Sequence, residues 1–520
     1  MLLDWFLAST PILLVLLLML GLRWKGTPAG LIGWLAALLV AGLRFGAGWE
    51  VLAWAQVRGL LLTLFVLYII WGALLFYRVT DEAGAVAAIG AGLPRLTTDR
   101  ALQALLLGWA FSAFLQGVGG FGVPVAVMGP LLVSLGFPPV AAVVIPSVGH
   151  SWAVTFGSLG SSFYALIAAT GRPGEELAAP AALLLGLACL LCGAGTLWAA
   201  GGPRTLLRGL PPLLLIGLSM AGTQYLVVTH GLWAIGAMCG GLAGLGVGVL
   251  WARWRERRRE HPNQPASTSA ETGTVPQMPL RWALAPYALL IAIVLIAQFV
   301  APVGEFLSQA VLRVSIPELT TARGWSTPAG VSQTINVFGH GGALLVYASL
   351  LTYALFRWRG QYKPGAARRI GQDMLKRAVP ASLGIATMVG MAVTMEQAGM
   401  THLLAEGISG VVGAAFPLAS PFIGALGAFM TGSNTNSNVV FAALQERVAA
   451  LVGMSPLLAL AAQTTGGALG GMFAPAKVIV GCAPVGADES ATMSKTMVYG
   501  AVILGVVAVT AFGAGLWANL

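Results

Sequence analysis

The chain has 520 residues, of which 57% are hydrophobic and 9% are charged, and its formal net charge is +10. A soluble globular protein carries about 25% charged residues, because its surface has to face water. The composition therefore excludes an ordinary soluble fold and predicts a protein whose main solvent is lipid.

Long apolar segments follow one another along the whole chain. They occupy residues 11–22, 60–76, 181–200, 213–228, 284–300, 343–356 and 498–517. At about 20 residues per span, these and shorter segments predict roughly 12 membrane crossings. The predicted fold is an all-α, polytopic bundle of about 12–14 transmembrane helices, some of them broken or re-entrant.

The positive charge is concentrated in two loops beside apolar segments. The basic residues are Arg253, Arg255, Arg257, Arg258 and Arg259 in the first loop, and Arg357, Arg359, Lys363, Arg368, Arg369, Lys376 and Arg377 in the second. Basic loops beside apolar spans mark the cytoplasmic side of a membrane protein. The charge thus predicts topology, and no nucleic-acid partner.

The longest polar interruption runs from Arg253 to Pro279 and is rich in polar residues and proline. Such a composition cannot bury a core, so residues 253–280 are predicted to form a flexible cytoplasmic linker. This linker separates an N-terminal membrane half, 1–252, from a C-terminal membrane half, 281–520.

The two halves contain a weak internal repeat. The matching segments are 79–84 with 393–399, 113–117 with 428–432, and 135–140 with 452–457. Gly84 and Gly399 lie 315 residues apart (399 − 84), and the third pair is offset by 317 (452 − 135). Three matches in order at a nearly constant offset place repeat 1 at about 57–170 and repeat 2 at about 378–485.

Charges beside the repeats predict that the two copies are inverted. The first long span of repeat 2 follows Lys376 and Arg377, so it is predicted to begin at the cytoplasmic side. The first long span of repeat 1 ends at Arg78, so it is predicted to end at the cytoplasmic side. Arg58, at the other end of that span, argues against this orientation. Inverted repeats are common in secondary transporters.

Each repeat interrupts its apolar sequence at a corresponding place. The interruptions are Gln-Gly-Val-Gly-Gly-Phe-Gly-Val-Pro at 116–124 and Thr-Gly-Ser-Asn-Thr-Asn-Ser-Asn at 431–438. Unpaired polar groups at membrane depth cost several kcal/mol each, so such segments line a cavity or bind a ligand. Packing of helices through small residues is the alternative for 117–122.

A second polar interruption follows in each repeat, at 150–162 and 463–477. The latter ends at Lys477, which lies between apolar residues. A lysine inside a membrane indicates a functional site, and an anion's carboxylate is its natural partner. The alternative is a lysine that extends to the membrane surface.

The sequence predicts no enzyme, no cofactor and no metal site. His150, His340 and His402 are scattered and lack the spacing of metal ligands. Glu82, Glu396 and Glu406 could relay protons if they face the interior, or lie at the membrane surface. A membrane enzyme would need a cluster of carboxylates or histidines, and a passive channel would need a charged ring or a repeated filter. The sequence shows neither feature, which argues against both alternatives.

Residues 114–126, 131–137, 431–438 and 464–472 resemble the L-lactate permease family. The resemblance covers most of the chain in length and order. It implies a multi-pass permease of the inner membrane that imports lactate, and often glycolate, with protons. It also implies a fold of two inverted repeats with helical hairpins.

The sequence departs from that family at three places. Gln116 stands where the family usually has an acidic residue, and Asn434 where it has an aspartate. The family also commonly has a lysine near Gly471, whereas here the lysine is Lys477. The loss of two carboxylates removes the simplest proton carriers, so the coupling ion and the anion carried are left open.

The predicted function is a secondary active transporter for a small monocarboxylate such as L-lactate or glycolate, coupled to a proton or a sodium ion and working by alternating access. The predicted substrate-binding residues are Gln116, Ser158, Ser161, Ser433, Asn434, Thr435, Asn436, Asn438, Thr464, Thr465 and Lys477. Another organic anion or cation-coupled solute on the same scaffold is the alternative. A homodimer is also left open.

Overall fold

The computed structural model describes residues 2–22, 24, 26–92, 97–120, 122–259, 278–331 and 334–518. In these ranges, nine helices are long and apolar enough to cross a membrane, or up to ten if a bent pair within 456–485 forms one span. The prediction of an all-helical, multi-pass membrane protein is confirmed.

Eleven helices are described in the first half of the chain. They are α1 (Leu2–Leu16), continued by a π-helical turn (Leu17–Gly21), α2 (Gly26–Leu43), α3 (Trp49–Glu82), α4 (Ala85–Gly92), α5 (Arg100–Gln103), continued by a π-helical stretch (Ala104–Phe111), α6 (Ser112–Val118), α7 (Val123–Ser134), α8 (Pro139–Ser151), α9 (Ser161–Thr170), α10 (Gly174–Thr229), a 3-10 turn (Trp233–Ile235) and α11 (Gly236–Arg259).

Eleven more helices are described in the second half. They are α12 (Leu280–Ala283), α13 (Ala285–Phe299), α14 (Ala301–Leu307), α15 (Gly341–Trp358), α16 (Ala366–Gln397), α17 (Met400–Val412), a 3-10 turn (Gly413–Ala415), α18 (Phe416–Thr431), α19 (Asn434–Leu451), α20 (Pro456–Gly470), a 3-10 turn (Gly471–Phe473), α21 (Pro475–Cys482), a 3-10 turn (Ala483–Val485) and α22 (Glu489–Ala518).

The number of spans differs from the roughly 12 predicted from apolar length. Helices α7, α8 and α9 have 12, 13 and 10 residues. At about 1.5 Å per residue they are too short for a hydrocarbon core of about 30 Å. Helix α10 is counted once among the nine, although its 56 residues contain two helices that meet at a kink at Gly201 and Gly202, which brings the count closer to the prediction.

A long antiparallel hairpin lies between α14 and α15. Its strands are β1 (Val311–Leu312), β2 (Ser315–Ile316), β3 (Leu319–Thr320), β4 (Ser326–Thr327), β5 (Gly330–Val331) and β6 (Ile335–Asn336). They pair as β1 with β6, β2 with β5 and β3 with β4, with Leu319 opposite Thr327. Near the tip, Trp325 stacks on His402 at the beginning of α17, so the hairpin covers one end of the helical bundle.

The spacing of helix starts repeats the offset found in the sequence. Helices α2 and α15 begin 315 residues apart (341 − 26), as do α4 and α17 (400 − 85) and α10 and α22 (489 − 174). Helices α8 and α20 begin 317 apart (456 − 139), each with a proline at its first position. These four pairs of helix starts therefore recur at the offset of the matching sequence segments, and the bounds of the repeats stay a prediction.

Helices α3 and α16 pack along their length and run antiparallel. Arg78 near the end of α3 pairs with Asp373 near the beginning of α16. Conversely, Arg58 near the beginning of α3 faces Glu396 near the end of α16. Helix α2 packs on α16 and α15 packs on α3, so these contacts are reciprocal between the halves. Inversion of the complete repeats stays a prediction.

Glycines allow helices of each repeat to approach closely. A Cβ atom on Gly149 of α8 would overlap the carbonyl oxygen of Gly108, and one on Gly466 of α20 would overlap that of Pro421 in α18. In a membrane, such small residues let backbones make dense van der Waals contact. The close pair α18–α20 holds the polar segment at 431–438 against the segment that begins at 463.

The first part of the predicted linker at 253–280 is helical. Residues 253–259 continue helix α11, and Arg255 pairs with Asp99 at 2.6 Å. The basic residues extend the helix beyond its apolar part because arginine has a high helix propensity. The remainder of the linker, 260–277, lies outside the described residues.

We expect Gly466→Ala to lower the free energy of unfolding by about 1–3 kcal/mol, because the added methyl group meets backbone that cannot rotate away. Gly505→Ala in α22 is the matched control, since a Cβ atom there has open space. Thermal unfolding in detergent would measure both variants. Equal melting temperatures would show that the α18–α20 contact tolerates a side chain.

Candidate substrate-binding site

The polar segment at 431–438 forms the junction between α18 and α19. Gly432 has a φ of +69°, a left-handed conformation that glycine adopts without strain. Ser433 then caps α19, since its Oγ accepts the N–H of Asn436 at 3.3 Å. The interruption is therefore short, and residues 434–438 form the first turn of α19.

Asn434, Thr155 and Thr464 meet in a buried hydrogen-bonded group. Asn434 Nδ2 donates to Thr155 Oγ1 at 3.1 Å and to the Thr464 carbonyl oxygen at 3.2 Å. The hydroxyl oxygens of Thr155 and Thr464 are 3.1 Å apart. Thr155 lies between α8 and α9, whereas Thr464 lies in α20, so the group joins segments from the two halves of the chain.

Asn438 extends this group by one turn of α19. Its Nδ2 donates to the Ser162 carbonyl oxygen at 2.9 Å and to Thr464 Oγ1 at 3.0 Å. The hydroxyls of Ser162 and Thr435 are 3.1 Å apart. Together the six residues form what we call the amide–hydroxyl cluster: Thr155, Ser162, Asn434, Thr435, Asn438 and Thr464.

Two further side-chain amides, those of Gln445 and Gln463, form hydrogen bonds beside the cluster. Gln463 Nε2 donates to Ser437 Oγ at 3.0 Å, and Gln445 Nε2 donates to Gln463 Oε1. Ser437 in turn donates to the Gly424 carbonyl oxygen at 2.7 Å. These bonds orient α19 against α18 and α20, so the cluster is held on a rigid frame.

The cluster is polar but carries no charged side chain. Its six residues are at most 5% exposed. Without water, every N–H and O–H at this depth needs a protein acceptor or a ligand. The hydrogen bonds described above supply most of those partners inside the protein.

Four buried oxygens near these segments have no hydrogen-bond partner within the described part of the chain. They are Gln116 Oε1, Asn434 Oδ1, Asn436 Oδ1 and Thr465 Oγ1. Unpartnered buried acceptors are costly and are common where a ligand or ion binds. All four belong to residues that the sequence predicts as substrate-binding.

The polar segment at 116–124 packs against the following segment of its own repeat. The N–H of Ser158 donates to the Gln116 carbonyl oxygen at 2.7 Å, and that of Leu159 to Gly117 at 3.0 Å. Ser158 and Leu159 have φ angles of +47° and +54°. Such backbone strain in residues other than glycine clusters at functional sites.

Lys477 lies apart from the cluster. Its Nζ is 2.7 Å from the position that a Cβ atom on Gly471 would occupy. No ion pair of Lys477 occurs among the described residues. The ammonium group of Lys477 therefore lies beside Gly471, although the two residues are six positions apart in the chain.

The structure brings some predicted residues together and separates others. Asn434, Thr435, Asn438 and Thr464 share the cluster. Ser433 caps a helix, and Asn436 faces a cavity on the other side of α19. The remaining predictions, Gln116, Ser158, Ser161, Thr465 and Lys477, are partly or fully buried, and no described hydrogen bond joins their side chains to the cluster.

Sequence reasoning missed Thr155 and Ser162, although both lie in the interruption at 150–162. Ser161 was chosen there, whereas its neighbour Ser162 makes the contact with Thr435. Position within α9 decides which serine faces α19, because successive helical residues point about 100° apart. The polar composition marks the segment but not the residue.

Each candidate proton carrier lies beside a basic side chain; Glu82 and Glu396 are near helix ends, whereas Glu406 is in the middle of α17. Glu82 pairs with Arg369 at 2.7 Å, Glu396 with Arg58 at 3.8 Å, and Glu406 with His402 at 3.3 Å. His150 contacts the Pro146 carbonyl oxygen at 2.6 Å, and His340 caps α15. No group of potential metal ligands forms within the described ranges.

A sequence profile described as L-lactate permease matches residues 4–516. The L-lactate permease of Bacillus subtilis (strain 168) is 30% identical over 496 residues, covering 89% of this chain and 87% of the relative. The L-lactate permease of Escherichia coli (strain K12) is 29% identical, and the match covers 92% of this chain and 89% of that relative. The glycolate permease GlcA of Escherichia coli (strain K12) is 28% identical, with the same coverage.

Among solved structures, the Alcanivorax borkumensis YdaH transporter is 16% identical, with a TM-score of 0.46, over 87% of this chain and 84% of that chain. The sequence relatives are permeases, that is, transporters rather than enzymes. Because the profile spans nearly all of the sequence, the chain belongs to the L-lactate permease family.

Proposed function

We propose that this chain carries a small monocarboxylate such as L-lactate or glycolate across the inner membrane, coupled to a cation, by alternating access. Membership of the L-lactate permease family supports a small organic anion as the substrate. The names of the relatives support lactate and glycolate in particular. Each of these anions has one carboxylate and one hydroxyl group.

The amide–hydroxyl cluster is the observation that carries this proposal. Thr155 and Ser162 come from repeat 1, whereas Asn434, Asn438 and Thr464 come from repeat 2. A solute bound there touches both repeats. Alternating access works by moving one repeat against the other around such a site.

Two kinds of group in the protein suit the two chemical groups of the substrate. The cluster at Thr464 provides neutral donors and acceptors for the substrate hydroxyl. Lys477, which reaches Gly471, provides the positive charge for the carboxylate.

Sodium is the coupling ion that the residues favour. Gln116 and Asn434 cannot carry a proton, and Glu82 is held in an ion pair with Arg369. By contrast, the unpartnered oxygens of Gln116 and Asn434 are neutral acceptors. Oxygen acceptors of this kind suit a hard metal cation.

Thr464→Val should raise the KM for L-lactate at least tenfold, because it removes the hydroxyl that contacts Asn438 and Thr155 while keeping the side-chain volume. Saturable uptake of radiolabelled L-lactate into proteoliposomes would measure this. Thr510→Val is the control, since Thr510 is exposed and bonds only within α22. A KM equal to that of the wild type would remove the cluster from the substrate site.

Lys477→Ala should abolish saturable uptake while leaving thermal unfolding in detergent nearly unchanged, because the carboxylate loses its counter-charge inside the membrane. Lys495→Ala is the matched control, an exposed lysine at the beginning of α22. Unchanged uptake by Lys477→Ala would exclude an essential role for this lysine.

An inward sodium gradient should drive lactate accumulation at least severalfold above equilibrium, whereas a proton gradient alone should not, because the neutral residues at 116 and 434 do not titrate. The two gradients would be imposed separately on proteoliposomes. Accumulation with the proton gradient alone would contradict sodium coupling, and the absence of counterflow exchange would indicate a channel instead of a carrier.

A further inference from the structure

A crevice opens between α3 and α16 on one side and α9, α17 and α19 on the other. Its lining is mostly apolar, with side chains such as Leu62, Met391, Val439 and Leu444. Arg58 and Glu396 are the two charged residues among the described residues that line it. The crevice does not include the amide–hydroxyl cluster, which lies on another side of α19.

Arg58 and Glu396 are only loosely paired. The shortest distance between the guanidinium and the carboxylate is 3.8 Å, too long for a hydrogen bond. Other arginines of the described chain bind their carboxylates closely: Arg172 contacts Glu446 at 2.6 Å, and Arg369 contacts Glu82 at 2.7 Å. Arg58 therefore faces the crevice with N–H donors that Glu396 does not occupy.

A second cavity continues from this crevice towards the α18–α19 junction. The two spaces share Ile12, Met391 and Val440 in their linings. The second is also lined by Thr431 and Asn436, and the Oδ1 of Asn436 has no partner among the described groups. The crevice thus adjoins a cavity that ends at the polar junction of repeat 2.

Arg58 lies at the end of the bundle opposite the basic loop. Helix α16 begins among Arg368, Arg369, Lys376 and Arg377 and ends beside Glu396. Because basic loops stay in the cytoplasm, the crevice opens to the outside. An anion that arrives from outside meets Arg58 as the first unoccupied positive group in this crevice.

We propose that Arg58 forms an outer carboxylate-binding subsite, which captures the incoming monocarboxylate before it reaches the polar junction of repeat 2. This rests on the proposed function, since the ligand is the transported anion. The carboxylate takes the guanidinium donors in a bidentate contact. Glu396 competes with it as a weak resident anion and so limits the affinity of the subsite.

Uptake of radiolabelled L-lactate into proteoliposomes would test the subsite with four variants. Arg58→Gln should raise the KM about tenfold while changing the maximal rate little, because the first contact of the carboxylate is lost. Arg58→Lys should restore part of the affinity, since it keeps the charge but not the fork of donors. Glu396→Gln should lower the KM, since the competing anion is removed.

Arg172→Gln is the matched control. Arg172 lies one turn beyond the crevice, is engaged by Glu446 and Glu176, and is not part of the lining, so its KM should equal that of the wild type. An unchanged KM in Arg58→Gln overturns the subsite. If Arg58→Gln does not fold, the Glu396→Gln variant decides: a KM equal to or above the wild-type value overturns the subsite.

Failure of the proposed function gives a different result. A wild type that takes up no monocarboxylate with either cation gradient overturns that function and the subsite with it. A wild type that transports lactate while all Arg58 variants keep its KM overturns the subsite alone.

Discussion

Polar groups inside a membrane have no water to bind, and every feature of this protein's centre follows from that constraint. The chain interrupts its helices at polar segments far apart in the sequence. There Thr155, Asn434, Asn438 and Thr464 donate to and accept from one another, while Asn434 Oδ1 has no partner among the described groups. The resulting cluster satisfies most of its own polar groups inside the protein.

Close helix contact is the second requirement, and it depends on residues without large side chains. Gly149 and Gly466 sit against carbonyl groups of neighbouring helices, at equivalent places in the two repeats. Lipid tails are as apolar as leucine, so helices in a membrane associate through van der Waals contact and hydrogen bonds rather than through burial from water. The high glycine content of this chain serves that contact.

The charged residues fall into two groups with different consequences. Most lie near helix ends, where Arg78 and Arg369 connect α3 with α16. Arg58 at the opposite end of α3 has only a 3.8 Å contact with Glu396, and Lys477 has no ion pair among the described residues. A tightly paired arginine has little affinity left for a ligand, whereas a loosely paired one retains its donors.

The sequence by itself determined the membrane class, the family resemblance and the repeat offset of 315 residues, because composition and spacing depend only on the order of residues. It also marked the polar segments that contain the site. Tertiary structure alone decided which members of those segments meet. Ser162 rather than Ser161 faces α19, and Asn436 points away from Asn434, because helix register sets side-chain direction. Likewise, only the fold brings Lys477 to Gly471 and places Glu396 beside Arg58, since these contacts join groups whose distance depends on how helices pack.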